Sequence, residues 1–274
     1  MNKIFSDLNK QMQLELKKKE TFTDGIKNLL LLRSELFKIV ETFFAELSAE
    51  DFSKMPFPKS KGNDNATIAW SIFHTFRIED IVCNTLIKNE NQIFFEKDFA
   101  KRLNAKIITT GNELSNEQMI EFSNSINIEE LFCYAKEVKE KSEKMILELS
   151  FENLKTKIPE ERKINLQKIN VVSLDESSSW LINYWCKKDV KGLIQMPFSR
   201  HWIMHIEAMQ RIKNRLCKIA RKGVDPVAVC GLSCNHCFLG EWCGGCRTEY
   251  NACSFATSSE GRICPNVKCC NEKN

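Results

Sequence analysis

From Gly25 to Ser48 (GIKNLLLLRSELFKIVETFFAELS) apolar side chains recur every three or four positions without a proline, which predicts a long amphipathic helix. The segment FSKMPFPKSKGND that follows, with two prolines and a glycine, reads as a loop, and Asn65 or Thr67 is placed to cap the next helix, residues 66–88. That helix is apolar nearly all round (Ile68, Trp70, Ile72, Phe73, Phe76, Ile78, Ile81, Val82, Leu86), so it should be buried on most sides. Residues 91–125 are mixed, with a turn at Thr110-Gly111-Asn112 and a short helix after a Ser115 cap. A clear helical period resumes over 128–149, carried by Leu131, Phe132, Ala135, Val138, Met145, Ile146 and Leu149.

Between 151 and 198 helical fragments alternate with Pro159, Gly192 and Pro197, and Trp180, Leu181, Tyr184 and Trp185 mark a helix around 177–188. The last long helix is expected from Ser199 to about Arg221, with Trp202, Ile206, Met209, Ile212, Leu216 and Ile219 as its stripe. Lys218, Arg221 and Lys222 suit the negative end of its dipole, Gly223 can cap it and Pro226 prevents its continuation. Four long helices and almost no period-2 alternation predict a mainly α protein, an up-and-down four-helix bundle over residues 1–222. Residues 223–274 then form a linker and a small module of a different kind.

Composition explains the difference. Nine of the 13 cysteines fall from Cys230 onward, in a segment too short to fold on apolar burial alone. The formal net charge of +4 lies wholly before that segment, whose four basic residues (Arg247, Arg262, Lys268, Lys273) balance four acidic ones (Glu241, Glu249, Glu260, Glu272). Neither part has the basic surface of a nucleic-acid binder, and the run Lys17 to Lys19 reads as a solvated helix face. The amino-terminal stretch MNKIFSDLNKQMQ shows no apolar h-region and no small-residue cleavage site, and no stretch is apolar enough to span a membrane, so a cytoplasmic address is expected. In a reducing compartment clustered cysteines are more often metal ligands than disulfides.

Only four histidines are present, and two of them, His201 and His205, stand four apart on the last helix, where both imidazoles project from one face. His74, in the middle of the buried second helix, can complete a set of three. Three neutral nitrogens leave positions open on zinc, nickel or ferrous iron, which catalysis requires. The plainer alternative makes each histidine a hydrogen-bonded core or surface residue.

The surrounding residues carry a resemblance. The stretch from Ala66 to Asp80 (ATIAWSIFHTFRIED), together with Pro197 to His205 (PFSRHWIMH), resembles the DinB/YfiT-like superfamily of four-helix bundles, over about residues 20–222. In that family one histidine on the second helix joins an H-x3-H pair on the last. The resemblance thus implies that His74, His201 and His205 are a metal triad. It also implies a range of activities, since relatives include metal-dependent transferases of low-molecular-weight thiols, a maleylpyruvate isomerase and amino-terminal domains of thiol-histidine biosynthesis enzymes; many members have no known activity.

A divalent ion held by three imidazoles would activate a thiol for transfer to a small electrophile, or water for hydrolysis, and the residues do not choose between them. The expected partners are therefore a small-molecule thiol or electrophile, not nucleic acid or membrane, with a homodimer left open. A non-enzymatic metal-binding or interaction protein is the competing reading, and it predicts a triad closed off by Trp70, Phe73 and Trp202. Glu79, Asp80 and Glu207 are the carboxylates nearest in sequence, with an ordinary surface charge as the plainer role for each. Arg77 and Arg200 could bind an anionic substrate at the mouth of the bundle. Trp70 and Trp202 flank the histidines, with core packing as the plainer role, and Cys83, Cys133, Cys186 and Cys217 read as buried small hydrophobes.

In the carboxy-terminal segment Cys234-x2-Cys237 and Cys243-x2-Cys246 are two tight ligand turns, the second spanning Gly244-Gly245. With Cys230, Cys253, Cys264 and Cys269 they make eight candidate ligands, enough for two zinc ions. His236 and Cys270 are spare candidates. An iron–sulfur cluster or a disulfide module is the alternative, although the C-x2-C-x2-C run of bacterial ferredoxins is absent. Residues 228–272 also resemble an uncharacterised bacterial Cys-rich family described as zinc-binding, which implies no activity.

Overall fold

The computed structural model describes the backbone of residues 2–220 and the side chains of residues 2–217. The chain divides into two units between Met209 and Gln210, and the architecture below is that of the first. The expected cysteine-rich module, with Cys230, Cys234, Cys237, Cys243, Cys246, Cys253, Cys264 and Cys269, lies outside the described residues.

The protein is mainly α-helical. Helices α1 (Lys3–Glu15) and α2 (Phe22–Glu46) pack against each other, with the exposed Lys17 to Lys19 in the turn between them and not, as expected, on a helix face. Helix α3 (Ile68–Asp80) continues without a break into a π-helical stretch, Ile81–Lys88, and packs on α7 (Ile128–Glu148). Short helices α4 (Ile93–Glu96), α5 (Phe99–Arg102) and α6 (Asn116–Ser125) connect them. After α7 come α8 (Glu160–Lys168), α9 (Glu176–Cys186) and α10 (Val190–Ile194), a second π-helical stretch (Met196–Arg200), and α11 (His201–Ala220). Among the described residues the only β pairing is an isolated bridge, Lys157 with Asp189, and no helix is long and apolar enough to cross a membrane.

Caps fix where the elements begin. Thr67, one of the two candidates, accepts a hydrogen bond at its hydroxyl from the Trp70 amide, satisfying a donor that the first turn of α3 leaves free. Ser115 and Gln118 form a reciprocal capping box on α6, and the Asn127 side chain caps α7.

Helix α3 is the axis of the core, for every residue from Ile68 to Asp80 is buried. That overturns the surface role expected of Glu79 and Asp80, both wholly inaccessible. A buried charge survives only when paired and hydrogen-bonded, and both carboxylates are. Asp80 accepts from the amides of Ile93 and Phe94 (both 2.9 Å), from Asn84 Nδ2 (2.7 Å) and from the Tyr134 hydroxyl (2.9 Å), tying α4 and α7 to α3. Burial, reinforced by the Asp80 charge, raises the Tyr134 phenol well above its ordinary range, so it stays a donor.

Glu79 accepts from Arg33 Nη2 (2.7 Å) and Nη1 (3.0 Å), from the Ser142 hydroxyl (2.5 Å) and from Trp202 Nε1 (2.6 Å). Arg33 in turn donates to the Phe198 carbonyl (3.0 Å) and stacks its guanidinium 4.2 Å from the Trp202 ring centroid. Burial opposes the Arg33 charge, but the Glu79 and Glu143 carboxylates together outweigh it and the guanidinium stays protonated. This knot joins α2, α3, α7, the second π stretch and α11 at a point one residue from His201.

Candidate metal centre

His74 sits mid-way along α3, where the all-round apolar sequence places it in the core; His201 and His205 occupy the first two turns of α11. The structure brings the three together: ring centroids are 5.1 Å apart for His74 and His201, 4.8 Å for His74 and His205, and 4.5 Å for the helical pair. One nitrogen from each imidazole lies within 4.8 Å of the others, and all three side chains are buried, at 3%, 7% and 5% exposure.

Burial pushes the His74 imidazole down to about 4, against the opposing effect of its hydrogen bond to Thr110. Burial, followed by the neighbouring imidazoles, holds His201 and His205 well below the ordinary histidine range. All three are therefore neutral near pH 7, as metal ligation requires.

The tautomer of His74 follows from its partner. Its Nδ1 lies 2.8 Å from the Thr110 carbonyl oxygen, and a carbonyl can only accept, so Nδ1 carries the hydrogen and Nε2 is a bare lone pair. His74 Nε2 faces His201 Nε2 at 3.2 Å. Two nitrogens bound to one zinc at about 2 Å in a tetrahedron stand roughly 3.3 Å apart, so this spacing already fits a shared ion. No carboxylate or thiol joins the group among the described residues, and His201 Nδ1 and His205 Nδ1 are buried there without a partner.

The other residues singled out in sequence are dispersed. Trp70 stacks on His74, centroids 4.6 Å apart and planes 11° from parallel, so it contacts the site instead of serving only as core packing. Phe73 packs on Phe94 and Phe122, while Trp202 packs on Phe76 and donates to Glu79. Arg77 is wholly buried, not at a mouth: its Nε and Nη2 both donate to the Ile108 carbonyl, at 3.0 and 2.8 Å. Arg200 is exposed, the Glu207 carboxylate accepts from the Asn2 amide, and of the four helical cysteines expected in the core only Cys83 is buried, Cys133 lying exposed on α7.

Sequence reasoning missed the loop at residues 107–113. Its Ile108, Thr110 and Gly111 carbonyls receive, in order, Arg77, His74 and Trp70, whose indole Nε1 lies 3.0 Å from the Gly111 oxygen. The Thr110-Gly111-Asn112 turn was a visible signal, and Gly111 does adopt a left-handed φ of 76°. That its carbonyls would meet α3 had no residue-type signature.

No family model matches this chain, and no curated protein or solved structure matches it either.

Proposed function

We propose that His74, His201 and His205 hold a divalent zinc, nickel or iron ion, and that the protein is a metal-dependent enzyme acting on a low-molecular-weight thiol or water. Its product would be a small electrophile that has been thiolated or hydrolysed. The observation that carries this reading is the convergence of three buried, neutral imidazoles with no anionic ligand among them in the described residues. An ion bound there would keep its full double charge and lower the pKa of a thiol or water sharing it. The chain's own contribution is to hold imidazole lone pairs toward one point and to keep bulk water out.

The reading includes the architecture expected from the DinB/YfiT-like resemblance, an up-and-down four-helix bundle over residues 1–222, followed by a zinc-stabilised module over 223–274. The spacing of Cys230, Cys234, Cys237, Cys243, Cys246, Cys253, Cys264 and Cys269 supports two zinc ions in that module. A metal bound by four thiolates offers no place for substrate, so the chemistry is assigned to the histidines.

Metal analysis and turnover on panels of thiols with electrophiles, and of hydrolysable esters and amides, test the reading together. In the full chain the double variant His74→Ala/His201→Ala is expected to lose one ion per chain, retain the cysteine-bound ions and lose turnover by at least about a hundredfold. Unchanged turnover in that variant would end the enzymatic reading.

A second reading, a non-catalytic metal-binding protein, is favoured by the slight exposure of the triad and by Trp70 lying flat on His74. Azide or imidazole added to the cobalt-loaded chain decides between them. A spectral shift indicates a free coordination position, and an unchanged spectrum indicates a closed site.

A further inference from the structure

Trp70, His74 and Arg77 are spaced by four and three residues on α3, which sets them in one row on one face of the helix. Each uses a ring or guanidinium N–H to reach a main-chain carbonyl of the same loop: Gly111 at 3.0 Å, Thr110 at 2.8 Å, and Ile108 at 3.0 and 2.8 Å. The loop can run this close because residue 111 has no side chain. A Cβ there would lie 2.8 Å from Trp70 Nε1, and its φ of 76° disfavours any other residue. Within the loop Thr110 Oγ1 donates to Asn112 Oδ1 at 2.7 Å, and Thr109 donates to Glu113. The loop is thus held at Ile108, Thr110 and Gly111 by α3 donors and braced from inside.

The three histidines differ in this respect. His74 has its Nδ1 hydrogen anchored, whereas the Nδ1 atoms of His201 and His205 have no partner among the described residues. With His74 Nε2 bare, a hydrogen bond across the 3.2 Å contact in the metal-free site places the hydrogen on His201 Nε2. To offer that same nitrogen as a donor atom, His201 must move the hydrogen to its own Nδ1. His74 needs no such change.

We propose that loop 107–113 is a positioning element that presets His74, through the Thr110 carbonyl, as the anchor ligand of the triad. Trp70 and Arg77 are positioning residues that hold the loop in place. This rests on the reading of the triad as a metal site.

The test uses the full chain labelled with 15N in its histidine rings; there are only four histidines, so each ring can be assigned by substitution. At pH 7 in excess chelator, His74 is expected as a single Nδ1–H tautomer. Adding zinc should move its Nε2 resonance and leave Nδ1 protonated. Because the signal is read on the ring itself, zinc taken up by the cysteines does not interfere. Trp70→Phe keeps the aromatic face against His74 but removes the donor to Gly111. It should give mixed His74 tautomers and about tenfold weaker zinc uptake at His74, within the range for loss of a group supporting a ligand. An Nε2–H tautomer of His74 in the metal-free wild type would overturn the proposal while leaving the metal reading standing. So would a Trp70→Phe chain that folds with unaltered tautomer and affinity. If zinc moves none of the three triad rings, the metal reading itself fails and the anchoring role falls with it.

Discussion

A histidine in a dry helix core is held neutral at a cost that appears only when protons become abundant. An unfolded chain gives His74 a pKa near 6.5, and burial in the folded chain lowers it to about 4. Between those values the unfolded state binds a proton that the folded state does not, so stability is full above about pH 6.5 and is lost as pH falls toward 4, by up to ~1.4 kcal/mol per unit. We therefore expect the metal-free wild type to lose about 2 kcal/mol more than His74→Phe between pH 7 and pH 5, read by urea denaturation with chelator present. Parallel slopes for the two chains would contradict the placement of His74. The phenylalanine keeps an aromatic ring against Trp70, so the comparison isolates the proton.

At the scale of elements, charge on α3 does what apolar periodicity alone cannot. Arg33 on α2 and Glu79 on α3 are both wholly buried and share two hydrogen bonds, with Trp202 of α11 and Ser142 of α7 donating to Glu79 and the Glu143 carboxylate of α7 standing 3.4 Å from Arg33 Nε. Removing Glu79 leaves the buried Arg33 charge with only its longer contact to Glu143, and losing one partner of a buried pair costs about 3–5 kcal/mol; replacing both with apolar residues is often near neutral. Glu79→Leu alone is thus expected to lower the denaturation midpoint sharply, and Arg33→Met/Glu79→Leu to recover most of the loss. Equal loss in the single and double variants would show that the pair does not act as a unit.

Much of this layer was legible beforehand. The stripes over 25–48 and 128–149, the Thr67 and Ser115 caps and the His201/His205 pair all follow from local spacing, and local spacing is what a sequence records directly. A helix apolar all round that also contains Arg77, Glu79 and Asp80 did carry a hint, because charges on such a helix must be buried and therefore paired. The partners themselves, Arg33 from 46 positions away and the Ile108, Thr110 and Gly111 carbonyls, depend on tertiary docking and on main-chain oxygens that every residue shares. The two π-helical stretches, Ile81–Lys88 and Met196–Arg200, were hidden for the same reason: they fall directly after the Glu79–Asp80 pair and directly before His201.

At the largest scale described, that of the first unit, the site is enclosed where a substrate site would be expected to open to solvent. No more than 7% of any triad side chain meets solvent, and Trp70 covers one ring face to face. That enclosure has a consequence in time. An ion held there would leave through a momentary parting of the surrounding helices and loop, so its escape would be paced by the opening of the protein and not by the strength of the competitor outside. The half-life of zinc at His74, followed on its ring nitrogens after EDTA is added, is accordingly expected to be the same at one and at fifty equivalents of chelator. A rate rising in proportion to chelator would mean that the competitor reaches the ion directly. If the half-life does hold constant, the occupant of the site changes on the protein's own clock, whichever competitor surrounds it.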